Sequence, residues 1–131
     1  MKRLILAALF CVFGAIAAKA QLLANNTNCP ITIQQICVNV NPCTKILGPM
    51  ITLMPGQVIP NPFPPCNPGQ ETMYQVCWRN CPNICTVVAA TPPPTRCLVG
   101  IPNVAPLAPG CPPCGPATVS FDFMTGTLKV F

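Results

Sequence analysis

The segment Cys111-Pro112-Pro113-Cys114 sets two thiols at the spacing used by redox dithiols and by half of a zinc site. A redox dithiol needs its first thiolate held at a helix N-terminus after a strand, whereas here Gly115-Pro116 follows and a strand pattern comes next. Zinc needs a second pair at matching spacing or histidine ligands, and the chain has no histidine and repeats C-x2-C nowhere. Structural bridges are therefore expected, with a local Cys111–Cys114 loop as one option. Nucleophilic hydrolysis meets the same obstacle, because no imidazole can act as base. Ser120, the sole serine, sits on the polar side of a strand alternation, and Glu71 and Asp122 are the only side-chain carboxylates. The sequence predicts no catalytic residue, no metal site, no cofactor and no enzyme activity.

Ten of the eleven cysteines lie beyond residue 20, an even set that reads as a disulfide framework. The candidates are Cys29, Cys37, Cys43, Cys66, Cys77, Cys81, Cys85, Cys97, Cys111 and Cys114. Residues 1–20 have the form of a cleaved signal peptide. Lys2 and Arg3 are followed by an apolar run from Leu4 to Ala18, and Ala18-Lys19-Ala20 places small residues before a cut at Gln21. Cys11 would leave with that leader. Residues 21–131 then form a single disulfide-rich domain, secreted or held at the cell surface, with no second apolar stretch long enough to span a membrane.

Beyond the leader the chain carries Lys45, Arg79, Arg96 and Lys129 against Glu71 and Asp122. Four scattered cations make no phosphate-tracking stripe, so nucleic acid is not expected as a partner. So few charges leave little repulsion between copies, which favours self-association or attachment to cell-envelope or matrix material. Tyr74 and Trp78 share a face under strand alternation; among Asn and Gln they are candidate contacts for a glycan or protein ligand, or else core packed on a disulfide. Asn25-Asn26-Thr27 is an N-glycosylation sequon.

These residues must be positioned by β-structure, since nineteen prolines, all beyond residue 20, exclude long helices. Pro30 to Gln34 alternates apolar and polar, slips phase at Gln34-Gln35 and resumes at Ile36, Val38 and Val40, a strand with a bulge. Met50 to Met54 is a short strand stopped by Pro55-Gly56. Thr72 to Arg79 alternates as a strand, with a helix from Glu71 as the competing reading; Ile84 to Thr91 and Arg96 to Val99 follow as strands. A turn from Asn80 to Asn83 would bring Cys77 and Cys85 within bridging range and leave Cys81 to reach elsewhere. At the C-terminus a hairpin about Thr125-Gly126 is expected to pair Phe123 with Leu128, Phe121 with Val130 and Asp122 with Lys129. Three proline-rich connectors, Ile59 to Gly69, Thr91 to Thr95 and Ile101 to Pro116, separate the strands.

The fold class expected is all-β: a small disulfide-stapled antiparallel sandwich-like domain with proline-rich loops and a C-terminal β-hairpin. The function expected is that of a secreted, non-enzymatic structural or surface-associated protein, durable and self-associating. The alternative is a small secreted binding module, lectin-like, adhesive or inhibitory, acting through a proline loop such as Asn61 to Cys66 or through an aromatic face.

Overall fold

A computed structural model describes residues 21–131. The leader expected over residues 1–20, Cys11 included, lies outside the described residues. Nine strands form two sheets, with no helix among the described residues. They are β1 (Leu22–Asn25), β2 (Ile31–Val40), β3 (Cys43–Leu53), β4 (Val58–Pro60), β5 (Glu71–Trp78), β6 (Cys81–Ala89), β7 (Val104–Leu107), β8 (Ala117–Asp122) and β9 (Thr127–Val130). One sheet runs β4-β1-β9-β8-β7 and the other β3-β2-β5-β6; every pairing is antiparallel except β1 with β9. The all-β class, the sandwich-like pair of sheets and the disulfide stapling expected from sequence are all present.

The two sheets bury one core between them, in which Leu23, Ile31, Ile33, Leu53, Val76, Trp78, Val88, Leu107, Val119, Leu128 and Val130 are almost wholly enclosed. Each such side chain is worth about 1.5–3 kcal/mol relative to exposure. The phase slip in β2 has a different origin from the one expected. The β2–β5 register is unbroken from Ile31–Trp78 to Val38–Glu71, so alternation turns Ile31 and Ile33 to the sandwich core but Ile36 and Val38 to the opposite face. There Ile36, Val38, Met73 and Ala89 meet Leu98 in a second cluster. The sheet is apolar on both sides because one half of its outer face is roofed by the connector after β6.

The bulge does exist, but the extra residue belongs to β3. Gln34 pairs with Met50 and Ile36 with Leu47, which leaves Gly48 and Pro49 opposite Gln35. A Cβ at Gly48 would lie 2.8 Å from the Gln35 carbonyl oxygen, so only glycine permits this approach.

Three other expectations change. The C-terminal hairpin pairs Phe121 with Leu128, Ser120 with Lys129 and Val119 with Val130, two residues from the register expected. Asp122 closes the longer loop itself: its Oδ1 accepts the Met124 N–H and its carbonyl accepts the Gly126 N–H, so Asp122 faces Thr127 and not Lys129. Arg96 to Val99 is not a strand; it is the loop roof over the second cluster. Within the third connector, Val104–Leu107 is an edge strand paired to β8.

Candidate functional site

Five bridges join the ten candidate cysteines: Cys29–Cys114, Cys37–Cys66, Cys43–Cys97, Cys77–Cys85 and Cys81–Cys111. The β5–β6 hairpin carries Cys77–Cys85 across its ladder, as the spacing suggested, but its turn is Arg79-Asn80 and not Asn80 to Asn83: Cys81 already opens β6 opposite Trp78, and from there it reaches the β7–β8 connector. The local Cys111–Cys114 bridge does not form. Both thiols are spent on distant partners, and the C-x2-C segment is a tight turn in which the Cys114 N–H donates to the Cys111 carbonyl. Each of the three longest connectors is thereby tied to a strand or its flank: 61–70 through Cys66, 90–103 through Cys97, and 108–116 through Cys111 and Cys114.

Tyr74 and Trp78 do share a face of β5, and that face is the interior. Trp78 is 1% exposed and donates its indole N–H to the Ala108 carbonyl. Tyr74 stacks between Phe63 and Phe121, and its hydroxyl accepts from Asn61 Nδ2. Burial raises the Tyr74 phenol above its ordinary value, while hydrogen bonds to Asn61 and Gln35 pull the other way. Neither ring is presented as a stacking platform. The Asn61 to Cys66 loop is pinned by the same contacts, by Asn61 Oδ1 accepting the Phe63 N–H, and by the Cys37–Cys66 bridge.

The sequon asparagine is equally enclosed. Asn25 Nδ2 donates to the Cys29 and Leu53 carbonyls, and Oδ1 accepts from the backbone and hydroxyl of Thr27. With no exposed surface, its amide nitrogen has no room for a glycan in the folded protein.

A cleft of about 240 Å³ lies over the edge of Tyr74, between Gln21, Pro65, Gln70 and Phe121, and two more apolar surfaces are open. The first is the side of the sandwich formed by β3 and β4, the edge strands opposite the β6 and β7 edges, which pack against each other. Leu47 is 66% exposed, Met50 58% and Ile46 46%, and Met54 and Val58 extend the patch; Lys45 is its sole charge along β3. The Cys43–Leu47 half of this strand was not legible in the sequence, since Thr44, Lys45 and Gly48 break any alternation. The second is a cleft of about 390 Å³ between the 91–103 loop and the β8–β9 turn, lined by Pro93, Pro94, Leu98, Ile101 and Phe123 with no charged residue. The loop that lines it is anchored between Thr95 and Leu98: the Glu71 carboxylate, buried at the start of β5, accepts the Arg96 and Cys97 N–H groups.

No family model, curated protein or solved structure matches the chain. The disulfide-rich small all-β domain is compatible with a secreted, stabilised protein. No described helix is long and apolar enough to cross a membrane.

Proposed function

We propose that this is a secreted or surface-attached, non-enzymatic structural protein that associates with copies of itself or with cell-envelope or matrix material. The observation that carries the reading is the open β3 side: an eleven-residue edge strand with Ile46, Leu47 and Met50 in solvent. An exposed apolar edge is a liability for a protein that stays dispersed, because its unpaired backbone groups template a further strand. Five covalent bridges support durability outside the cell, where thiols stay oxidised. The non-enzymatic part rests on how the acids are used: Glu71 is committed to backbone N–H groups and Asp122 to its own turn. Sedimentation of the exported, oxidised protein across concentration, with binding to envelope and matrix fractions, tests the reading. A monomer at every concentration that binds neither fraction overturns it.

A second reading, a small binding module, is favoured by the uncharged cleft beside Phe123. It would take an apolar, uncharged ligand and no glycan through Trp78, which is enclosed. Ligand screening that registers binding lost in a Phe123→Ala variant would select it.

A further inference from the structure

We infer that β3 is a two-fold symmetric interface, joining two copies of this chain into a closed dimer by antiparallel β3–β3 pairing. The inference rests on the self-association proposed above and specifies its geometry.

The two lateral sides of the sandwich are not equivalent. On the far side the β6 edge is attended at both ends, by the Pro102 carbonyl accepting the Ala89 N–H and by the bridge from Cys81 to Cys111. Its neighbour β7 has four residues and contains Pro106, which has no N–H to offer. Head-to-tail addition of β3 onto that side is therefore disfavoured. β4, the other free edge on the open side, has only three residues and ends in Pro60, so β3 meeting β3 is the pairing that joins two long free edges, and a two-fold contact closes on itself instead of growing into a fibre.

The bulge makes the strand complementary to its own reverse. Before Gly48, the ladder to β2 places Lys45 and Leu47 on the outer face and Ile46 on the core side; after Pro49, Met50 and Thr52 are outer and Ile51 is on the core side. An antiparallel pairing centred between Gly48 and Pro49 then sets Leu47 opposite Met50 of the second copy, Ile46 opposite Ile51, and Lys45 opposite Thr52. Faces match in every pair. Moving the centre by half a residue pairs outer with core-side residues throughout. The residue without an N–H falls at the symmetry axis, opposite glycine, where it interrupts the ladder least. The two Lys45 side chains end up about 24 Å apart along the strand, well beyond a Debye length of about 8 Å.

Eleven residues of β3 span about 37 Å and the three of β4 about 10 Å, so at about 10 Å per sheet the side has a footprint of about 470 Å² per copy, smaller than the roughly 800 Å² of a standard interface and in keeping with a concentration-dependent dimer. Met54 and Val58 supply apolar cover at the second sheet.

Sedimentation equilibrium of the exported, oxidised full chain tests this with Leu47→Glu, Met50→Lys, the double variant and Met124→Glu as a control on another exposed apolar side chain. Each single substitution is expected to raise the dimer dissociation constant about tenfold or more. The double variant sets opposite charges across the ladder and should recover most of the loss, and the control should change nothing. Leu47 and Met50 are largely in solvent, so folding is not at stake, and recovery in the double variant confirms it. Association that continues past the dimer, or ignores Leu47→Glu, overturns this interface and leaves the proposed self-association standing. A monomer throughout removes self-association itself.

Discussion

Replacing Glu71 should loosen the roof of the second cluster before it unfolds the sandwich. The carboxylate is 5% exposed. Its Oε1 accepts the Arg96 N–H at 3.0 Å and the Cys97 N–H at 2.6 Å, with Oε2 3.1 Å from Arg96 N. Glu71→Ala leaves two part-buried backbone donors without an acceptor, at about 1–3 kcal/mol each if fully desolvated, so about 2–6 kcal/mol as an upper range. Glu71→Gln can keep the Oε1 acceptor for both N–H groups but replaces Oε2 with an amide N–H2 that opposes the Arg96 N–H, donor against donor. It should lose about half as much. The Cys43–Cys97 bridge keeps the loop near its seat in both variants, so the loss should appear first as local opening. Native-state hydrogen exchange at the Arg96 and Cys97 amides reads this directly, with urea unfolding for the global change. Unchanged exchange at both amides in Glu71→Ala, or a Gln variant worse than the Ala variant, would refute the reasoning.

Gly48→Ala should cost about 1–3 kcal/mol in urea unfolding, because its methyl meets the backbone carbonyl of Gln35, which cannot rotate away. Removing the Cys43–Cys97 bridge by paired Cys→Ala substitutions should cost more than removing Cys77–Cys85, since the loops closed span 54 and 8 residues. Chain entropy gives about 4.2 against about 2.5 kcal/mol, and equal losses in calorimetry would contradict that ordering. Tyr74, the one tyrosine, should titrate above pH 10 by absorbance at 295 nm. The raised phenol is protonated in the folded state where the unfolded chain has ionised, so its contribution is full below pH 10 and lost as pH climbs through the folded value. A midpoint at or below 10 would show that the ring is not enclosed.

What the sequence disclosed was local. Alternation in β5, β6 and β8 and the four-residue intervals of Cys77, Cys81 and Cys85 placed the hairpin and its bridge, because neighbours in sequence are neighbours in the ladder. The C-terminal faces were legible but the register was not: a shift of two leaves every side chain on its face, so period-two patterning cannot sense it, and the Asp122 turn decides instead. β1 and β7 escaped notice for different reasons. Leu22–Asn25 has four residues whose partners lie at β4 and at the far end of the chain, and Pro106 gives β7 the look of a loop. The open β3 side was illegible because its exposure follows from strand order, and the enclosure of Trp78 and Asn25 follows from which face meets the second sheet.

The parallel seat of β1 between β4 and β9 bears on when this protein acquires its shape. Leu23 and Leu128, wholly buried partners, come from opposite ends of the described chain, so that sheet has a gap at its centre until residues 127–130 arrive. If the chain is exported as proposed, this sheet stays open at its centre until residues 127–130 have followed. Its closure is then a late event, slowed by the long contour that must be spanned.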